Sequence, residues 1–312
     1  MTTKIRLVAD IGGTNARFAI ARDGRYDGFV TVAAADHPNL AAAITDYLSS
    51  VPTADRPQEA ALSIAGPVEG DMIQFTNHPA WDFSRQALAE CFGFERVIAL
   101  NDFAAAALAL PYLAPGDLDA IGGGQARARA PLAILGPGTG LGMGGLVPGP
   151  GGVWIPLAGE GGHATMAAVD MHEDRILAVL REKFGHVSAE RVLSGQGLVN
   201  LHDALARLEG SEPPARTPAG ITETDHPLCR SAVDSFAAML GSVAGNLALT
   251  LGAVGGVYIG GGIVPRLGPR FAESDFRKRF ENKGRFRDYL AAIPTWVIKH
   301  PNPAMVGLAH LA

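Results

Sequence analysis

The sequence predicts an α/β protein of two lobes, and three stretches predict it. Leu7–Ile20 (LVADIGGTNARFAI) is an apolar run, a glycine turn and a second apolar run, the pattern of two strands joined tightly. Leu132–Gly142 (LAILGPGTGLG) repeats that pattern in the second half, with Gly138-Thr139 aligned on Gly13-Thr14 and Leu135 where Asp10 stands. Val97–Leu100 is an apolar strand that runs straight into Asn101-Asp102-Phe103 and an alanine-rich helix to Leu110.

The first turn carries Asp10, Gly12, Gly13, Thr14, Asn15 and Arg17 within eight residues. The glycines permit the positive φ of a hairpin turn and leave backbone N–H groups open to a phosphate, while Thr14 and Asn15 add donors. Asp10 could hold a magnesium ion, directly or through water. A polar turn on an antiparallel sheet is the plainer alternative. The second hairpin favours the first reading, because two similar turns, one per half, indicate a duplicated lobe with a nucleotide held by both.

The 312 residues suit two domains, and 47% hydrophobic with 18% charged residues describes a globular chain. A net charge of −5 and a pI near 6.0 argue against a general nucleic-acid binder. Two cysteines, Cys91 and Cys229, allow neither a disulfide framework nor a thiolate zinc cluster, which fits a reducing cytosol. The first residues enter a strand with no secretory apolar region, so the expectation is a cytoplasmic protein. Ser235–Pro265 holds no charged residue and is long enough to span a bilayer. Ser242, Asn246, Thr250 and its glycines argue instead for a buried helix to Leu251, then a buried strand Gly256–Ile259.

In chain order, Leu40, Ile44, Tyr47, Leu48 and Val51 share one helical face. Ala60–Ala65 reads as a strand, and Met72–Phe75 as another leading to Thr76-Asn77-His78. Ser84 is placed to cap a short helix closed by Gly93. Asn101 and Asp102 stand at the carboxyl end of a strand where a helix begins, the usual ligand crevice of an open α/β sheet. Both are also favoured helix N-caps, so capping and catalysis compete there. Pro111 and Pro115 mark a lobe boundary. Gly140–Gly145 matches a GxGxxG fingerprint, but strand and turn residues follow it rather than a helix, so a nicotinamide site is discounted.

Gly159–His163 (GEGGH) puts Glu160 and His163 in a glycine loop. Metal ligation, polar surface and a sugar site, where carboxylate and imidazole match hydroxyl groups, all remain open for them. Asp170–Phe184 is an amphipathic helix, and Ser188–Arg191 looks like a helix start where Glu190 could simply favour the positive end of a dipole. Leu198, Leu201, Leu205 and Leu208 form another helix face, followed by a loop with Pro213, Pro214 and Pro218. Gly260–Gly262, after a buried strand, is either a crowded turn or a surface on which an adenosine could lie. Residues 266–288 hold eight basic and four acidic residues, read as a solvated helix pair, with Phe271, Phe276, Phe280 and Phe286 packing a core or a subunit contact. Trp296–Ile298 is a late strand, and Ala304–Leu311 a terminal helix expected to pack on the first lobe.

Taken together, DIGGTNAR (10–17), NDF (101–103), GPGTGLG (136–142), GEGGH (159–163), VSAERVLSG (187–195) and GGGIVP (260–265) resemble the bacterial glucokinase family, of the actin-like, hexokinase-type ATPase superfamily. The resemblance implies a two-lobed actin-like (ribonuclease H-like) fold with a deep nucleotide- and sugar-binding cleft. It implies a small lobe of 1–112 plus 300–312, a large lobe of 113–299, and ATP-dependent phosphorylation of glucose at its 6-hydroxyl. By motif, Asp102 resembles the catalytic base, and Asn101, Asp102, Glu160, His163 and Glu190 the sugar ligands. Ala9, Asp10, Ile11, Gly12, Gly13, Thr14 and Asn15, with Gly138 and Thr139, resemble the two phosphate turns. Gly260, Gly261 and Gly262 resemble the adenosine loop, and Asp10 the magnesium contact, through water. No cysteine lies between Cys91 and Cys229, so the structural zinc of the related repressors and sugar kinases is not expected, and no helix-turn-helix precedes Asp10. The expected partners are glucose and ATP, with no nucleic acid and no membrane. A homodimer is expected from the family and the aromatic 271–286 region. A kinase for another hexose or phosphoryl donor, and a non-catalytic sugar sensor, are the alternatives.

Overall fold

In a computed structural model the described residues are 4–75, 79–211 and 216–311, so Thr76-Asn77-His78 and Pro213-Pro214 lie outside them. The chain divides into two compact units, Met1–Ala114 with Gly149–Pro156 and His300–Ala312, and Pro115–Pro148 with Leu157–Lys299.

The first unit contains strands β1 (Arg6–Ile11), β2 (Asn15–Arg22), β3 (Arg25–Ala33), β4 (Glu59–Ile64), a small ribbon of β5 (Met72–Ile73) and β6 (Phe83–Ser84), and β7 (Arg96–Asn101). Its main sheet has the order β3-β2-β1-β4-β7. The first two pairings are antiparallel, and β1-β4 and β4-β7 are parallel. Side chains alternate across each strand, so both faces need cover. Leu7, Ala9 and Ile11 pack under the helix Leu40–Ser49 through Ile44, Tyr47 and Leu48. Val8, Ala19 and Ala61 face Ala105, Met305 and Leu308 on the other side. Small residues on that second face let the helices Asp102–Ala109 and Pro303–Ala309 lie close to the sheet and to each other. The terminal helix therefore completes this unit. It is held by Arg6, whose Nη1 donates to Leu308 O at 3.0 Å and Leu311 O at 2.7 Å. Arg6 Nε also donates to the buried Glu59 carboxylate at 2.7 Å, and Arg96 Nε donates to its other oxygen at 2.6 Å.

The second sheet has β8 (Leu118–Ala120), β9 (Leu132–Pro137), β10 (Leu141–Pro148), β11 (Trp154–Gly159, of which Leu157–Gly159 belong to the second unit), β12 (Gly256–Ile259) and β13 (Thr295–Ile298). Their order is β11-β10-β9-β12-β13-β8. The β9-β10 hairpin is antiparallel, and β12 runs parallel to both β9 and β13. Four strands, β10-β9-β12-β13, thus repeat the order and directions of β2-β1-β4-β7 in the first sheet, the structural form of the duplication. Glycines 140–145 run from the turn into β10, with no helix after them.

Several elements differ from the sequence reading. The long helix spans Pro227–Leu251, starting before the uncharged stretch, because Arg230 and Asp234 sit on its exposed side while Cys229, Ala232 and Val233 extend the buried one. It has the length and composition of a bilayer span, yet 67% of its most apolar window is buried within the protein. The basic region forms short helices, Pro269–Ala272, Phe276–Glu281 and Arg287–Ala291, instead of a solvated pair. Phe271, Phe276 and Phe280 enter the core, and only Phe286 of those four is exposed. The expected start of a helix at Ser188 is a three-residue turn, Ala189–Arg191, capped by Ser188.

Candidate active site

In the first unit the candidate residues collect at one edge of the sheet. β1, β4 and β7 are parallel and end in register, with Ile11 beside Ile64 and Ile64 beside Asn101. The turn Gly12–Thr14 leaves β1 at that edge, and Asn101-Asp102 leaves β7 there. One rung back, Arg17, Asp10 and Ser63 sit side by side on β2, β1 and β4. Asp10 Oδ2 accepts from Arg17 Nη1 at 2.9 Å, and Oδ1 accepts from Ser63 Oγ at 2.8 Å. Both carboxylate oxygens therefore already have a protein donor, which suits a water-mediated contact to a cation better than direct ligation.

The glycine turn corrects one expectation. Gly12 and Gly13 have no positive φ. The turn closes by Gly12 N–H donating to Asn15 O at 3.0 Å, so what glycine supplies is the missing side chain, not a left-handed backbone.

Of the two neighbours at β7, the helix cap falls to Asn101. Asn101 is the N-cap of the helix Asp102–Ala109, its Oδ1 accepting from Phe103 N at 2.9 Å and Ala104 N at 3.3 Å. Its Nδ2 donates to Gly66 O at 3.2 Å, which fixes the amide orientation. Asp102 is the first helical residue, half-buried, with Oδ1 accepting from Phe103 N at 2.9 Å. The helix start is thus held by Asn101, and Asp102 is the carboxylate of its first turn.

In the second unit four candidate stretches meet. Gly138-Thr139 follows β9, and Gly260–Gly262 follows the parallel strand β12 at the same sheet edge. Gly260 N–H donates to Leu135 O at 2.8 Å. Gly261 has φ +79° and lies against Pro137 O, where a Cβ would overlap the carbonyl, so the crowded-turn reading holds for that residue. Backbone bonds from Met166 N to Val187 O and from Ala189 N to Ala164 O, each 2.9 Å, lay the glycine loop beside the Ser188 turn. They bring His163 Nδ1 to 4.0 Å from Glu190 Oε1. Glu190 Oε2 accepts from Leu141 N at 2.9 Å, a specific contact that replaces the dipole explanation. Glu160 and His163 are exposed side chains of this loop. Among the described residues no three His, Cys, Asp or Glu gather as a metal site.

A protein-family model described as Glucokinase matches residues 7–312. The chain belongs to the glucokinase family. It is 51% identical to a glucokinase of Paramagnetospirillum magneticum over 98% of this chain and 96% of the relative. A crystal structure of glucokinase from an Antarctic psychrotroph aligns with TM-score 0.92 and 37% identity over 98% of each chain. A Streptomyces griseus ROK family glucokinase in complex with glucose and AMPPNP shares the fold, with TM-score 0.62 and 20% identity over 99% of each chain. The actin-like ATPase fold and the assignment as an ATP-dependent sugar kinase follow from this family membership.

Sequence reasoning missed three parts of this glucokinase-family site. Ser63 was invisible as a partner because strand register cannot be read from one strand, although a lone hydroxyl within an otherwise apolar run was the available signal. The Leu141 N–H is a backbone group with no sequence signature. Gly140 carries no role of its own in the GPGTGLG motif or the discounted GxGxxG match, because what distinguishes it is what a side chain there would touch.

Proposed function

We propose that this glucokinase transfers the γ-phosphoryl group of ATP to the 6-hydroxyl of D-glucose, giving glucose 6-phosphate and ADP, the first step of glycolysis, in the cytoplasm. The observation that carries the residue assignment is the shared edge in the first unit, where the Asp10–Thr14 turn and Asn101-Asp102 follow strands ending in register. Phosphate binding and a carboxylate base are thereby built on one rigid sheet.

A sugar hydroxyl is a weak nucleophile, so a carboxylate within hydrogen-bond reach must accept its proton as the bond to phosphorus forms. Asp102 takes that role. Asn101, Glu160, His163 and Glu190 hold the sugar hydroxyls and orient the 6-hydroxyl for in-line attack. Backbone N–H groups of Gly12–Asn15 and Gly138-Thr139 receive the phosphates, and the Gly260–Gly262 turn supports the adenosine. Mg²⁺ bound with the nucleotide would neutralise charge on the phosphoryl group. Asp10, with both oxygens already hydrogen-bonded, would orient water around that ion.

The test is ATP-dependent phosphorylation of glucose by the purified chain, run beside a panel of other hexoses and with ADP and polyphosphate as donors. Turnover with glucose and ATP above the other pairs is expected; turnover confined to another pair overturns the substrate assignment. Assembly as a homodimer is a separate expectation, checked by sedimentation equilibrium, and a monomer throughout the working concentration range ends it.

A further inference from the structure

We propose that Gly140 is a positioning residue for the Glu190 carboxylate, and that the Leu141 N–H couples the second glycine turn to sugar binding. The inference rests on the reading of Glu190 as a sugar ligand and of Gly138-Thr139 as a phosphate turn. Glu190 divides its two oxygens. Oε2 accepts from Leu141 N at 2.9 Å, and Oε1 is the one nearer His163, at 4.0 Å. A Cβ built on Gly140 would lie 2.5 Å from Oε2 and 3.3 Å from Cδ of Glu190. Any side chain at 140 therefore pushes the carboxylate off the Leu141 N–H and away from its present setting beside His163.

The turn and the carboxylate are joined elsewhere too. Gly138 N–H donates to Gly140 O at 2.8 Å, and Gly138 O accepts from Gly195 N at 2.8 Å. Ser194, buried, donates from Oγ to Glu190 O at 2.9 Å and caps the helix Gly195–Leu208 through Gly197 N. Turn, Glu190 and helix start form a closed hydrogen-bonded loop, so neither the turn nor the carboxylate can shift alone. A ligand that orders one of them favours the bound arrangement of the other, and such coupling is reciprocal.

The experiment is isothermal titration of glucose without nucleotide, and of ADP without sugar, into the full chain. Wild-type protein that does not bind glucose overturns the sugar-site reading itself, before any variant is considered. With binding present, Gly140→Ala should weaken glucose by about tenfold or more, the scale of one lost charge-assisted hydrogen bond. Gly138→Ala is the contrast, because a Cβ there meets nothing within 4 Å, and its effect should fall on ADP and not on glucose. Glu190→Ala should weaken ADP by about threefold or more in the absence of sugar, since the Leu141 N–H then loses its acceptor. Gly140→Ala with glucose affinity within about twofold of wild type, or a loss of equal size in Gly138→Ala, overturns the positioning role. Unchanged ADP affinity in Glu190→Ala overturns the coupling. If Gly140→Ala lacks a cooperative melt, the glycine is required for folding and the positioning role is overturned, while the Glu190→Ala titration still decides the coupling.

Discussion

Ser63 donates its hydroxyl to Asp10 Oδ1 at 2.8 Å from the neighbouring parallel strand, while Arg17 holds the other oxygen from the antiparallel one. The carboxylate is thus oriented by its own sheet, one rung before the glycine turn. Ser63→Ala should loosen that orientation at small cost in stability. The expected outcome is weaker binding of MgADP by about three- to tenfold, with binding of ADP in EDTA little changed, because the serine acts through Asp10 and its hydration of the metal. Calorimetric titration with and without Mg²⁺ checks it, and an equal loss in both conditions would place Ser63 outside the metal's surroundings.

Asn101, the helix cap, and Asp102, the proposed base, should separate by experiment. Asp102→Asn is expected to lower kcat by about two to four orders of magnitude, the usual range for a lost general base, with glucose affinity retained and the melting temperature nearly unchanged. Asn101→Ala is expected to destabilise by about 1 kcal/mol through the lost cap. Asn101→Ser restores the cap, so stability should return while any loss of glucose affinity persists. Melting curves paired with glucose titrations read both effects.

Glu59 is buried between Arg6 and Arg96. Burial raises its pKa, but hydrogen bonds and charge from Arg96 and Arg6 outweigh that and hold the carboxyl below the usual carboxylate range. A depressed folded pKa contributes stability that is complete above the unfolded value and is lost as pH falls through the folded one. Urea midpoints taken from pH 7 down to pH 3 should therefore fall less steeply in Glu59→Gln than in wild type. At pH 7 the variant should be less stable by about 3 kcal/mol, since it leaves two guanidinium groups without their anion. A wild-type and a variant curve that run parallel across the acid range would remove Glu59 as a source of acid sensitivity.

Gly261→Ala combines a positive φ of 79° with overlap on Pro137 O. It should cost more than about 1 kcal/mol and weaken nucleotide binding, because relief requires the two turns of the second unit to part. Gly262→Ala, with nothing within 4 Å of its Cβ, should be near neutral in stability. Thermal melts of the two variants make the comparison, and equal melting temperatures would contradict the close approach.

Much of the fold was legible because its signals are local. Apolar runs bounded by glycine mark β1, β2, β9, β10 and β12, and Ser84, Asn101 and Asp170 announce helix starts that the structure places within a residue. β3 escaped notice because it is an edge strand, largely exposed on both faces, so Arg25, Asp27 and Gly28 interrupt any alternation. β11, at the edge of the second sheet and mostly exposed, was hidden for the same reason.

Family, duplicated hairpin and the identity of the candidate residues are legible in the chain alone, because each is carried by a motif a few residues long. Packing set which residues touch. Register set Ser63 beside Asp10, helix geometry assigned the cap to Asn101, and the approach of two turns put Gly140 under Glu190. Those contacts join residues as far as 53 positions apart, across strands and loops whose pairing depends on how whole sheets pack, and no short stretch of chain encodes that.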